Sequence, residues 1–273
     1  MITALTFISV EKNNIFKKLY YKFKSDKTDI KIEQARGVNI KHIKYTSYSG
    51  KLKLEMIDKY IGAQRNHLVC SDSLKFPLNC GYKRFESYDF TIRLCTNMAL
   101  AIIRNHNNPK SLRIGLYDVQ ATSADLLPLM LKFCSDIVVV TQNEPPYYQA
   151  LDTAMEELGA TAIVTKNICE LDNCNLIIAP QIISEILPIK QSAVVMTIDC
   201  PKIPISGNVF YKYYFKMPNG FDRIKPDELS EEYFCSVLYS LAAQYELGSI
   251  EPTICSNGIT SQTVNSLLKL LEV

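Results

Sequence analysis

The stretch from Ser111 to Thr165 reads SLRIGLYDVQATSADLLPLMLKFCSDIVVVTQNEPPYYQALDTAMEELGATAIVT, and it decides the fold. Leu112 to Tyr117 and Ile137 to Thr141 are apolar runs of strand length, and the second has the unbroken apolar character of a strand buried on both faces. A helix pattern separates them, and another begins at Pro145 and ends at Gly159, a favoured capping residue. Strands joined through helices in this way predict a parallel sheet with right-handed crossovers.

The same alternation continues beyond this stretch. Ala162 to Thr165, Leu176 to Ala179 and Val194 to Ile198 are predicted strands, with a short helix around Ile182 to Leu187. Helices from Ser230 and from Ser261 then cover the sheet or return to the first domain. The predicted fold class is α/β: a doubly wound, mostly parallel sheet with a smaller N-terminal α/β domain.

Residues 105–110 mark the predicted boundary between the two domains. The segment is polar and contains Pro109, so it cannot continue the apolar helix before it, and a new strand follows at once. We therefore predict a small α/β domain over residues 1–104 and a sheet domain with C-terminal helices over residues 105–273. In the first domain, Thr3 to Val10 and Val38 to Tyr45 are predicted strands.

Composition excludes several classes of protein. The chain has 273 residues, 47% of them hydrophobic and 21% charged, which is typical of a globular protein. It has no run of about 18 uncharged apolar residues and no basic segment before its first apolar run, so neither a membrane span nor a signal peptide is expected. Nine cysteines, mostly within apolar runs, fit a reducing compartment, and the cytoplasm is predicted. Their spacing favours no metal site.

Charge divides the chain into two opposite parts. Residues 1–113 contain 21 basic and 9 acidic side chains, whereas residues 114–273 contain 9 and 19. This asymmetry is consistent with an anionic partner for the first part, or with the two parts facing each other in a monomer or a homo-oligomer. Asn13 to Asp26 mixes lysines with aromatics, but the aromatics share one helical face, so an amphipathic helix is favoured over a nucleic-acid site.

The second domain resembles dinucleotide-binding Rossmann domains. The resemblance covers about 90 residues, Lys110 to Asp199, in line with the span of a doubly wound unit. It rests on the strand and helix alternation, the turn LGA before the third strand, the segment LDNCNLIIAP (171–180), and the helix that leads in from a smaller α/β domain. The arrangement is similar to that of shikimate dehydrogenase and glutamyl-tRNA reductase, and it implies binding of NAD or NADP.

Ligands of such sheets bind beyond the carboxyl ends of the strands. Three loops are therefore candidate cofactor or ligand sites, at 118–122, 141–143 and 179–181. The residues we assign to them are Asp118, Val119, Gln120, Ala121, Thr122, Thr141, Gln142, Asn143, Ala179 and Pro180.

The loop at 118–122 departs from the family pattern. It contains no glycine, whereas G-x-G-x-x-G lets bare amides approach a pyrophosphate. Asp118 would also place a carboxylate where the pyrophosphate should rest, and no acid ends the second strand. On these grounds we expect no cofactor, with NAD or NADP as the alternative, and we assign no catalytic residue because the lysine and aspartate motifs of shikimate dehydrogenase are absent.

A second enzyme class shares one feature of this loop. Asp118, followed four residues later by a threonine, resembles the nucleophile loop of haloacid-dehalogenase-type phosphatases. Gln120 replaces their second aspartate, and no acidic pair for magnesium follows Ala179. The commoner role of such an aspartate is to cap the next helix.

The sequence thus leads to one main functional hypothesis and two alternatives. The main hypothesis is a non-catalytic two-domain protein that binds a small ligand or a protein partner in the cleft between its domains. The first alternative is an NAD(P)-dependent oxidoreductase with an atypical cofactor loop, and the second is the phosphatase that uses Asp118.

Overall fold

The computed structural model describes residues 1–10 and 23–272. Its strands are β1 (Ile2–Ser9), β2 (Lys27–Ala35), β3 (Val38–Ser47), β4 (Val69–Cys70), β5 (Arg113–Tyr117), β6 (Asp136–Val140), β7 (Ile163–Thr165), β8 (Leu176–Ala179), β9 (Val194–Thr197), β10 (Asn208–Phe210), β11 (Lys212–Tyr214), β12 (Ile254–Ser256) and β13 (Ser261–Thr263).

Six α-helices lie in the described residues, together with short 3₁₀ turns. They are α1 (Leu54–Ile61), α2 (Asp89–Asn105), α3 (Leu126–Leu131), α4 (Pro145–Leu158), α5 (Glu231–Leu241) and α6 (Val264–Leu271). Most of the amphipathic helix predicted from Asn13 to Asp26 falls outside the described residues.

The chain divides into two compact units. The first contains residues 1–87 and 216–247, and the second contains residues 88–215 and 248–273. Helix α2 therefore belongs to the second unit and helix α5 to the first. The predicted domain limits at residues 104 and 105 stay a prediction.

The first unit is built on a four-stranded sheet in the order β2-β3-β1-β4. Strands β3 and β4 pair with β1 in parallel, and β2 pairs with β3 antiparallel. One face of the sheet carries Leu5, Ile43 and Tyr45, which are buried against Ile57 and Ile61 of α1. Strand β2 was not predicted, because its alternation of charged and apolar residues leaves both faces largely exposed.

The second unit is built on a six-stranded sheet in the order β7-β6-β5-β8-β9-β10. Every pair in it is parallel. Numbered from β5, this is the order 3-2-1-4-5-6 of Rossmann folds, in which the chain reverses its direction of travel across the sheet beside the first strand. The predicted fold class, a doubly wound α/β protein with a smaller second sheet region, is confirmed.

Gly115 lets helix-side residues approach the centre of this sheet. A Cβ on Gly115 would lie 2.6 Å from Cδ2 of Leu171 and 3.1 Å from Sγ of Cys174. Both of these side chains are fully buried. Since contacts this short cannot exist, the glycine inside β5 serves packing rather than phosphate binding.

Two predicted local features are wrong. The segment from Ile182 to Leu187 forms no helix, because it lies between Pro180 and Pro188 and its apolar side chains Ile183 and Leu187 enter the core from irregular backbone. Residues 209–215, whose aromatic side chains predict one β-strand, form two strands in different sheets: β10 extends the parallel sheet, and β11 pairs antiparallel with β12.

Within the described part of the chain, no helix is long and apolar enough to cross a membrane. All nine cysteines are free. The same residues contain no group of three or more His, Cys, Asp or Glu side chains placed to hold a metal ion.

Candidate cofactor site

The carboxyl ends of β5, β6 and β8 bring the three predicted loops together. Strand β5 lies between β6 and β8, so the reversal of strand order falls between β5 and β8. In open parallel sheets this is where a crevice forms between loops that leave in opposite directions.

Asp118 follows β5 directly and is fully buried. Its Oδ1 accepts hydrogen bonds from the Thr122 amide at 3.1 Å and the Thr122 hydroxyl at 3.2 Å. Its Oδ2 accepts from the Ser123 amide at 2.8 Å and from the Tyr147 hydroxyl at 2.7 Å. Four donors thus satisfy a carboxylate that would be costly to bury alone.

Among the described residues, Tyr147 is the one whose side chain donates to Asp118 from another element. It lies in the first turn of α4, which Pro145 and Pro146 begin, and it is fully buried. Burial raises the pKa of Tyr147 well above its ordinary value, and the nearby Asp118 carboxylate raises it further. The hydroxyl therefore stays protonated and donates. Tyr147 was not among the predicted site residues, although its place in the first turn of the helix after β6 was a signal present in the sequence.

The backbone of the loop is tightly closed. Ala121 has a φ of 57°, in the left-handed region, and its amide donates to the Asp118 carbonyl at 3.2 Å. An L-residue in this region costs about 1 to 2 kcal/mol, which the hydrogen bonds to Asp118 offset. Ser123 stands before the apolar residues of α3 and is therefore its predicted N-cap, but this prediction is wrong, because the helix begins only at Leu126 and its N-cap position is Asp125.

The loop after β6 packs directly on the loop after β5. The Thr141 hydroxyl donates to the Val119 carbonyl at 3.3 Å, and the Gln142 amide donates to the same carbonyl at 3.1 Å. The Asn143 side chain donates to the Gln120 carbonyl at 3.3 Å. Thr141 is buried, whereas Gln142 and Asn143 are exposed. Their neutral amides are among the polar groups that this edge presents to solvent, together with Gln120 and Thr122.

The segment after β8 contributes Gln181 to this junction. Ala179 and Pro180 are buried, and neither side chain carries a polar group for a ligand. Gln181 links the loops that follow the neighbouring strands β8 and β5. Its Oε1 accepts a hydrogen bond of 2.9 Å from the Val119 amide. Its carbonyl accepts from the Thr197 hydroxyl at 2.7 Å, which ties the segment to β9. Of this predicted loop, Gln181 is the residue that hydrogen-bonds to the loop after β5.

The site does not fit the pyrophosphate of a dinucleotide in the way the glycine loop does. The amides of Val119, Ala121, Thr122 and Ser123 already donate within the protein. Helix α3 has six residues, too few for a useful N-terminal dipole. The Asp118 carboxylate does not occupy the pyrophosphate position, contrary to the prediction, because it is buried inside the loop.

The same geometry removes the phosphatase alternative. A nucleophilic aspartate must present one oxygen to the phosphorus atom. Both oxygens of Asp118 instead accept internal hydrogen bonds, and the side chain is fully buried. Its role is to close the loop.

No protein-family model and no curated protein matches the chain. Three solved structures resemble it at low similarity. Thermococcus litoralis Δ1-pyrroline-2-carboxylate reductase, in complex with NADH and L-proline, is 12% identical with a TM-score of 0.30, over 70% of this chain and 68% of that chain. L-tryptophan dehydrogenase from Nostoc punctiforme is 7% identical with a TM-score of 0.35, over 98% and 79%. A Trypanosoma cruzi protein assigned as an aspartate carbamoyltransferase is 12% identical with a TM-score of 0.29, over 92% and 82%.

These comparisons correct two predictions. A reductase bound to NADH and a dehydrogenase are at odds with a non-catalytic protein and with the absence of a cofactor, and they agree with the oxidoreductase alternative. At such identities and TM-scores, they assign no activity, substrate or cofactor to this chain. The chain contains a Rossmann-type unit whose loop after β5 is closed by its own aspartate.

Proposed function

We propose that the chain is an NAD(P)-dependent oxidoreductase with an atypical cofactor loop, and that its second unit binds the dinucleotide beyond the carboxyl ends of β5, β6 and β8. One observation carries this proposal: the fully parallel sheet has the order β7-β6-β5-β8-β9-β10. That order creates a ligand crevice at the reversal of strand order beside β5.

The end of β6 supports the nucleoside half of such a ligand. In this fold the residues that follow the second strand meet the adenosine ribose. Gln142 and Asn143 occupy that position, and both are exposed. Their amides can donate to and accept from ribose hydroxyls. The diphosphate must be held by groups other than the amides of Val119 and of residues 121–123, which are engaged.

Titration of the protein into NADH and NADPH tests the proposal. Binding is read from the change in fluorescence of the reduced nicotinamide. We expect saturable binding of at least one nucleotide. Gln142→Ala and Asn143→Ala should each weaken it about fivefold, the effect of one hydrogen bond of about 1 kcal/mol.

Gln34→Ala is the matched control, because Gln34 is an exposed amide on β2 of the first unit. Its affinity for either nucleotide should equal that of the unaltered protein. Absence of saturable binding of both nucleotides to the folded protein at millimolar concentration would refute the proposal.

We also infer that the protein works in the cytoplasm. Seven of its nine cysteines are at least partly buried, and all nine are unpaired. Unpaired cysteines in this number support a reducing compartment. The homo-oligomer and the protein partner stay predictions.

A further inference from the structure

On the sheet of the first unit, part of the face opposite Ile43 and Tyr45 is polar, although Ile40 on the same face is buried. Side chains alternate along a strand, so His42 and Lys44 of β3 point away from the face that buries Ile43 and Tyr45. On the neighbouring strand β2, Lys31 is paired with His42 in the register. Residues 222–227 complete the walls of an open cavity of about 620 Å³ on this face. That volume is in the range of small-molecule sites.

A chain of hydrogen bonds fixes the ring of His42. Nε2 of His42 lies 2.6 Å from the hydroxyl oxygen of Thr6, and the Thr6 hydroxyl donates to the Glu228 carboxylate. A hydroxyl has one hydrogen, so Nε2 must be the donor to Thr6. In the neutral ring Nδ1 is therefore an unprotonated acceptor. No described residue donates to it, and the ring lines the cavity.

Burial keeps the ring of His42 neutral. Burial lowers the pKa of His42, and Lys44 lowers it further, while Glu228, Glu33 and Asp227 raise it. The net direction is downward, so at neutral pH the imidazole carries no charge. The cavity then offers a hydrogen-bond acceptor at this position rather than a cation.

The charged side chains that line the cavity are five cations and four carboxylates: Lys27, Lys31, Lys44, Arg223 and Lys225, with Asp29, Glu33, Asp222 and Asp227. Lys27 is paired with Asp29 at 2.9 Å, and Lys225 donates to the Leu229 carbonyl at 2.7 Å. Lys31, Lys44 and Arg223 also line the cavity and make no ion pair with any residue in the described ranges. These three cations can meet a carboxylate, and Nδ1 of His42 can accept from a donor on the same molecule.

We propose that this cavity binds a small carboxylic acid that also carries a hydroxyl or ammonium group, with His42 as the acceptor for that group. Thr6 and Glu228 act as positioning residues that fix the tautomer of the ring. The inference does not depend on cofactor binding by the second unit.

Nitrogen NMR of the histidine rings tests the proposal with L-lactate, L-alanine and propionate as probes. The chain has three histidines, so the His42 signals can be assigned from the variant His42→Gln. L-lactate, L-alanine or both should shift the His42 signals saturably at neutral pH. Propionate lacks the donor and should bind at least fivefold more weakly than the better probe. No shift with any probe, or equal affinity for propionate, would overturn the proposal.

Variants separate the site from a merely structural role. Lys44→Gln should weaken the better probe severalfold, whereas His67→Gln, in the same unit but outside this cavity, should leave its affinity unchanged. Thr6→Val should give a mixture of ring tautomers and weaker binding, and Thr6→Ser should restore both. An unchanged Nε2–H tautomer in Thr6→Val would refute the hydrogen-bond chain. Nucleotide binding is expected to survive each of these variants, so the two proposals fail separately.

Discussion

Removal of the Tyr147 hydroxyl tests whether hydrogen bonds to Asp118 stabilise the loop after β5. Tyr147→Phe conserves the ring and leaves no cavity, so only the hydrogen bond of 2.7 Å to Oδ2 of Asp118 is lost. Both residues are fully buried, so water cannot replace the missing donor. A hydrogen bond to a charged group contributes about 1.5 to 3 kcal/mol. The Ser123 amide still donates to the same oxygen, which places the expected loss near the lower end, about 2 kcal/mol.

Urea unfolding followed by far-ultraviolet circular dichroism measures this loss. The midpoint of the second unit should fall while the slope stays unchanged. Burial and Asp118 raise the pKa of Tyr147, so neither the folded nor the unfolded state deprotonates it below about pH 9, and the loss should not vary between about pH 6 and 9. Tyr148→Phe is the matched control, because its side chain is the next in the helix and 49% exposed. A loss below about 0.5 kcal/mol in Tyr147→Phe, or an equal loss in the control, would refute the closure of the loop by Asp118.

Three further predictions concern stability. Gly115→Ala should destabilise the second unit by about 1 to 3 kcal/mol in the same assay, because its Cβ would overlap the buried Leu171; a neutral result would contradict the packing role of the glycine. Burial alone would raise the pKa of Asp26, but hydrogen bonds lower it to about 2. The bond from Lys53 has the largest lowering effect. The first unit should therefore lose stability as the pH falls from about 4 to 2, and Lys53→Met should lessen this dependence of the urea midpoint on pH. Ser230→Ala should cost about 1 kcal/mol in thermal unfolding, since its hydroxyl accepts from the amide of the third residue of α5, and Ser230→Asp should retain the stability.

The parallel sheet could be predicted because each of its strands carries its own signal. Apolar runs such as residues 137–140 have no polar residue for a solvent-exposed face of the sheet, so both faces of the strand must be buried. Proline at the start of α4 and Gly159 at its end mark that helix in the sequence itself. The order of the strands then follows from short right-handed crossovers.

The site could be predicted only in part, because its decisive contacts are made between distant segments. The three loops follow from the strand ends, but the partner of Asp118 lies 29 positions away in Tyr147, and that of Val119 lies 62 positions away in Gln181. The His42, Thr6 and Glu228 chain spans 222 positions. The periodicity of apolar residues does not indicate which distant residues form such pairs. The assignment of residues 216–247 to the first unit depends on long-range contacts of the same kind.

The loop after β5 has the form of an anion-binding loop whose anion is its own side chain. Successive amides, those of Thr122 and Ser123, converge on one negative group, as amides do around a bound phosphate. A residue in the left-handed conformation precedes them, but it is Ala121 rather than a glycine. The loop is therefore formed before any ligand arrives, and a phosphate could use these amides only by displacing a carboxylate held by four donors. A dinucleotide on this sheet must accordingly be recognised from the β6 side, where Gln142 and Asn143 are exposed, and with less phosphate contact than a glycine loop provides.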